Sequence, residues 1–143
     1  MRLPTSGKVF ISVKRTDKLG AVEIARTLAE LGFTVYATRG TAAVMKEAGI
    51  HVIAINKVAE GRPHIVDMIK NGEISLIINT VKNQPSAIRD SYSIRRAALQ
   101  GKVTYYTTLA GARAACVGIS DNKQELQAYN LQKLHAQLRN LEH

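Results

Sequence analysis

Five short apolar runs rich in β-branched and aromatic residues alternate with segments of helical periodicity, and this alternation constrains the fold more than any other feature. Lys8–Val13 (KVFISV), Phe33–Ala37 (FTVYA), His51–Ile55 (HVIAI), Ser75–Ile78 (SLII) and Val103–Tyr106 read as strands. Continuous apolar runs of this length are the pattern of strands covered on both faces. Asp17–Leu31 then places Ala21, Val22, Ala25, Leu28 and Leu31 near one helical face, and Gly32 ends that helix. Thr41–Ala48 reads as a short helix closed by Gly49, and Pro63 suits the first turn of a helix running to Lys70 before Asn71-Gly72 turns the chain. Pro85 begins another, which runs to Gln100 and is closed by Gly101. Leu109–Gly118 reads as a further helix, and Ser120-Asp121 caps a last one. There Leu126, Tyr129, Leu134 and Leu138 fall near one face, so the last helix is expected to pack on the body.

Strands that alternate with helices, joined by right-handed crossovers, form a parallel sheet covered on both faces. The predicted fold is α/β, a three-layer α/β/α sandwich around a five-stranded, mainly parallel sheet. A chain of 143 residues suits one domain of about 100 to 150 residues. Residues 1–7, with Pro4, Ser6 and Gly7, read as a lead-in from a preceding domain, 8–140 as the domain itself, and Leu141-Glu142-His143 as a tag remnant. No apolar run approaches the roughly 20 residues needed to span a bilayer, and no apolar stretch of a signal peptide follows the first charges. The lone Cys116 lies in a stretch of small residues and reads as a buried, inert thiol. A soluble chain in a reducing cytoplasm is expected.

The charge points outward. Twenty Lys and Arg against 11 Asp and Glu give a formal net charge of +9, which implies an anionic partner. Nucleic acid is disfavoured, because aromatic residues are only 5% of the chain and the basic residues are dispersed, with Lys14-Arg15 and Arg95-Arg96 the longest cationic runs. A small phosphorylated ligand fits better. In parallel sheets ligands bind where strands end. Those positions carry Ser12, Lys14 and Lys18 after the first strand, Thr38-Arg39-Gly40-Thr41 after the second, Asn56-Lys57 after the third, Asn79-Thr80 after the fourth and Thr107-Thr108 after the fifth. Hydroxyls, amides and ammoniums dominate. Thr38–Thr41 reads either as a phosphate cradle at a helix N-terminus or as an N-cap Thr41 beside a turn glycine. Lys18 and Lys57 follow different strands and could converge on the same anion, while Asn79 and Thr80 suit a ribose or base edge.

Catalytic signals are poorer. Within Glu60-Gly61-Arg62-Pro63-His64, His64 could serve as an acid or base or simply be structural. His51 and His64 have no Cys or His at metal-ligand spacing, so no zinc site is expected. Neither a Walker-type loop, a G-x-G-x-x-G turn nor a G-x-S-x-G elbow is present, which argues against ATP hydrolysis by this chain alone.

Seven strings carry a family resemblance: SVKRTDK (Ser12–Lys18), ATRGTA (Ala37–Ala42), AGI (Ala48–Ile50), NKVAEGRPHIVDMIKNGEI (Asn56–Ile74), IINT (Ile77–Thr80), IRRAAL (Ile94–Leu99) and YYTTLAG (Tyr105–Gly111). From about Lys8 to Arg139 the chain resembles the C-terminal allosteric domain of the bacterial, glutamine-hydrolysing carbamoyl-phosphate synthase large subunit, which has the methylglyoxal-synthase-like fold. The resemblance implies regulation of a cytoplasmic ligase of arginine and pyrimidine biosynthesis, whose synthetase domains use ATP with magnesium or manganese. This domain itself is then expected to need no cofactor and to carry no catalytic residue or metal. UMP as inhibitor or IMP as activator would be held by Ser12, Lys18, Thr38, Gly40, Thr41, Lys57, Asn79 and Thr80. Ornithine would meet Tyr105 and Thr107 at the border with the second synthetase domain. Implied protein partners are the rest of the large subunit, the glutaminase small subunit and a second copy, with no nucleic acid or membrane. Three positions depart from the family's pattern: Val81 replaces a threonine, Arg39 a histidine and Tyr106 an aspartate.

Methylglyoxal synthase itself, a lyase acting on dihydroxyacetone phosphate, is the alternative. Its glycine-glycine-aspartate signature corresponds here to Arg62-Pro63-His64, and its tryptophan-aspartate-proline to Thr80-Val81-Lys82, so both carboxylates are missing. Replacing Lys57 with alanine is expected to weaken binding of a nucleoside monophosphate by about tenfold or more, the scale of one charge-assisted contact to phosphate. Unchanged affinity in a calorimetric titration removes Lys57 from the site.

Overall fold

The computed structural model describes residues 3–4, 6–56 and 64–141, and of Asp90, Asn140 and Leu141 the backbone alone. Its strands are β1 (Gly7–Ser12), β2 (Phe33–Ala37), β3 (Ile53–Ala54), β4 (Leu76–Asn79) and β5 (Thr104–Tyr106). The helices are α1 (Lys18–Glu30), entered through a 3-10 turn at Arg15–Asp17, α2 (Arg39–Glu47), α3 (Ile65–Lys70), α4 (Pro85–Gln100) and α5 (Leu109–Leu141). All strand pairs are parallel, in the order β3-β2-β1-β4-β5. The chain builds outward from β1 through β2 to β3, then returns to add β4 and β5 on the other side. The reversal lies between β1 and β4, which is where open sheets of this kind leave a crevice.

The central strands are apolar on both faces because both faces are covered. Val9, Ile11, Leu76 and Ile78 pack with Leu28, Met45 and Ile119 beneath α1, α2 and α5. Phe10 and Ile77 face the other way, onto Ile65, Ile69 and Ile94 of α3 and α4. Full burial of such side chains contributes about 1.5 to 3 kcal/mol each, enough to make β1 and β4 the fixed centre of the molecule. β3 is an edge strand with only β2 beside it, and its regular pairing shrinks from the expected five residues to Ile53–Ala54. Cys116 is buried and unpaired, and burial pushes its thiol pKa up, as an inert core cysteine requires.

The C-terminal region departs from expectation. Leu109–Leu141 is one helix of 33 residues, not two. Ser120-Asp121 has the chemistry of a cap, but anchors on either side of it hold the helix in register. Before it, Ala112, Cys116 and Ile119 are packed in the core; after it, the Lys123 ammonium reaches the Leu31 carbonyl at the end of α1. A break between them would pull one anchor away. Since α1 ends opposite Lys123, the rest of α5 has no surface to lie on, and Leu126, Tyr129, Leu134 and Leu138 remain 49 to 62% exposed. The expectation that this helix packs on the body is therefore corrected. No helix among the described residues is long and apolar enough to cross a membrane.

Ending the chain at Gln127 is expected to leave the urea midpoint unchanged. Ile119→Ala, by contrast, should lower stability by about 2 to 5 kcal/mol, and a tail deletion that destabilises comparably would contradict the free-standing helix.

Candidate functional site

Beyond their apolar centres the strands end in a polar row. Ser12 pairs with Asn79 across β1 and β4. On the flanks the pairing ends one residue earlier, at Ile11 with Ala37 and Ile78 with Tyr106, and Thr38 and Thr107 follow directly on those pairs. Where β1 runs out, its next amides still need acceptors, and two buried threonines provide them. Thr41 Oγ1 accepts from the Val13 N–H at 3.4 Å, and Thr80 Oγ1 accepts from the Lys14 N–H at 3.0 Å. The Thr80 N–H donates back to the Ser12 carbonyl at 3.0 Å. Segment 12–14 is thus suspended between the start of α2 and the end of β4.

On one side of this segment lies a cavity of about 350 Å³ lined by Ser12, Val13, Lys18, Thr38, Arg39, Gly40 and Thr41. The Thr38 hydroxyl is 3.3 Å from both the Ser12 and Thr41 hydroxyls. α2 begins earlier than expected, so Thr38, with extended φ and ψ of −63° and 157°, occupies the N-cap position and Thr41 lies inside the first turn. Of the two readings of this loop, the N-cap Thr41 is corrected. Gly40 is no turn residue either. A Cβ there would come within 2.8 Å of the Lys18 ammonium, which places that charge beside the first turn of α2. The first-turn amides of α2 have no intrahelical acceptor and mark the positive end of the helix dipole. Arg39 donates to the side-chain Oδ1 of Asn56 at 2.9 Å and braces the end of β2 against the chain leaving β3. An ammonium, a guanidinium and a helix N-terminus on one cavity make a site for a phosphate group.

On the other side a cavity of about 200 Å³ opens at the reversal between β1 and β4, sharing Ser12 and Val13 with the first. Asn79, Thr80, Val81 and Lys82 line it from the sheet side, and Ala87, Ser91 and Ile94 from α4. The α4 contribution went unread in the sequence. Its signal is a stripe at spacings of four and three whose leading positions, Ala87 and Ser91, are small and leave room beside the end of β4. Asn79 donates from Nδ2 to the Tyr105 hydroxyl at 2.8 Å. Burial pushes the Tyr105 pKa up, against smaller opposing effects of the Asn79 hydrogen bond and the Arg95 charge. Tyr105, assigned by resemblance to a second ligand, thus contacts a residue that lines the smaller cavity, while Thr107 is exposed and lines neither cavity.

Lys57, together with Glu60, Arg62 and Pro63, lies outside the described residues. His64 is buried at the N-cap of α3, with its Nδ1 3.6 Å from the Asp67 carboxylate and away from both cavities. Among the described residues no Asp or Glu lines either cavity; Asp17, the nearest in sequence, lies 4.0 Å from the Lys14 ammonium. A larger cleft of about 410 Å³ runs between α1 and α5, but Glu23 and Asp121 line it beside Arg113, a mixed lining that does not suit a dianion.

Thr80→Val is expected to strip the Lys14 N–H of its acceptor and to cost about 1 to 3 kcal/mol in chemical denaturation. An unchanged unfolding free energy would show that the hydroxyl does not hold the segment.

The family model described as MGS-like domain matches residues 20–107. The chain is 57% identical over 137 residues to the carbamoyl phosphate synthase large chain of Ralstonia nicotianae, covering 96% of this chain and 13% of that protein. To the carbamoyl phosphate synthase large chain of Pseudomonas aeruginosa it is 52% identical over 134 residues, covering 94% of this chain and 12% of that protein. It therefore spans only about an eighth of the length of these relatives. Among solved structures it is similar to methylglyoxal synthase from Elizabethkingia anophelis, with a TM-score of 0.66 over 80% of this chain and 79% of that one. At 18% identity that likeness concerns the fold alone.

Proposed function

Because the chain belongs to the MGS-like domain family, we propose that it acts as the effector-binding regulatory domain of a carbamoyl phosphate synthase large chain, taking UMP or IMP across its two joined cavities. One observation carries this reading: the anion cavity and the amide-lined cavity share Ser12 and Val13, so one molecule can place a phosphate in the first and a nucleoside in the second. In this reading the phosphate is held by Lys18, Arg39 and the α2 first turn, and Lys57, which the resemblance adds to the set, lies outside the described residues. Asn79, Thr80 and Ser91 then face sugar and base, over the apolar wall of Val81 and Ile94.

Regulation is favoured over chemistry by the lining. Removing a proton next to a carbonyl, as a methylglyoxal-forming lyase does, needs a base facing the substrate. The described lining offers cations, amides and hydroxyls, which hold an anion and leave it unchanged. In the parent enzyme this domain would bias an equilibrium between arrangements of the ATP-dependent synthetase domains, with ornithine acting near Thr107 and the glutaminase subunit supplying ammonia. A coupling of about 1 to 3 kcal/mol suffices for such control.

Calorimetric titration of the chain with UMP, IMP and dihydroxyacetone phosphate tests the proposal. Saturable binding of UMP or IMP, weakened about tenfold or more by Lys18→Ala, and no release of phosphate from dihydroxyacetone phosphate are expected. Turnover of dihydroxyacetone phosphate would overturn the regulatory reading.

A further inference from the structure

Asn79 lies almost fully buried at the floor of the smaller cavity, at 4% exposure. A primary amide has two chemically opposite ends, one that donates and one that accepts, and nothing in its shape decides which of them meets a ligand. Here the donating end is occupied, since Nδ2 donates to the Tyr105 hydroxyl at 2.8 Å. Among the described residues nothing donates to the Asn79 Oδ1, and that atom is not sealed off from solvent.

Tyr105 reaches Asn79 for a reason of register. It pairs with Ile77, two residues before Asn79 on the same face of β4. The contact is therefore diagonal, a reach that a long aromatic side chain spans and a short one does not.

We infer that Tyr105 is a positioning residue of the ligand pocket: it turns the Asn79 amide so that the carbonyl oxygen faces the cavity and selects a ligand group that donates an N–H or O–H. The inference deepens the nucleotide reading above and rests on it. Tyr105 does not touch the ligand in this role; it anchors the Nδ2 end of Asn79 and leaves the other end for the ligand. A ligand offering only acceptors at that point leaves the carbonyl unpaired, which a buried site penalises.

Two measurements decide it. In calorimetry with UMP and inorganic phosphate as separate probes, Tyr105→Phe keeps the ring and removes the acceptor. It is expected to weaken UMP about five- to tenfold, the scale of one hydrogen bond, and to leave phosphate affinity unchanged. Adding Asn79→Ala to Tyr105→Phe should cost little more, because both substitutions remove the same interaction. Equal weakening of UMP and phosphate, or none, overturns the inference. Independently of any ligand, the Asn79 side-chain NH₂ resonances should be protected from solvent exchange in the wild type and lose that protection in Tyr105→Phe; identical behaviour overturns it. Failure of the wild-type chain to bind UMP overturns the nucleotide reading, and the NH₂ resonances then decide the role of Tyr105 alone.

Discussion

The site depends on the hydrogen-bonding demand of two backbone amides at the end of the central strand. Val13 and Lys14 leave β1 at the point where the sheet no longer supplies carbonyls, and a buried N–H without an acceptor costs about 1 to 3 kcal/mol. Thr41 and Thr80 meet that demand from opposite sides. In doing so they fix the relative position of the α2 N-terminus and the end of β4, and with it the spacing between the two cavities. These threonines are buried at 2% and 6% exposure, so their first duty is structural. A ligand meets a frame already held in place, with little ordering left for binding to accomplish.

Electrostatics then sets what the frame can hold. Parallel strands bring α1 and α2 to start at the same edge, with the Lys18 ammonium beside Gly40 in the first turn of α2. Among the described residues the lining there carries cations and hydroxyls and no carboxylate, which favours an anion over a cation.

Much of this was legible in the sequence because the central strands are covered on both faces. Burial on both faces demands unbroken apolar runs, and such runs identify β1 and β4 with little ambiguity, just as Pro85 and Gly101 bracket α4. The polar residues that follow each run were readable for the same reason, since in a parallel sheet all strand ends lie on one edge. Other features are decided by contacts distant in sequence. Ser120-Asp121 carries a genuine local preference to start a helix, overridden by the packing of Ile119 and the reach of Lys123 to Leu31. The closeness of Lys18 to Gly40 appears only when α1 and α2 are placed side by side. The α4 wall of the smaller cavity needed the placement of Ala87, Ser91 and Ile94 opposite the end of β4, which their spacing suggests only once the sheet order is known. The Tyr105 contact with Asn79 required the register of β4 against β5.

That last contact bears on how regulation could be built into so small a domain. Tyr105 and Thr107 lie on one short strand and its exit, with Tyr105 bonded to the amide at the pocket floor and Thr107 exposed. The distance from the pocket to the outer edge of the sheet is then one hydrogen bond and two residues of backbone. Anything that shifts the end of β5 by the fraction of an ångström that a hydrogen bond tolerates also alters the acceptor that Asn79 presents, and the reverse holds by thermodynamic reciprocity.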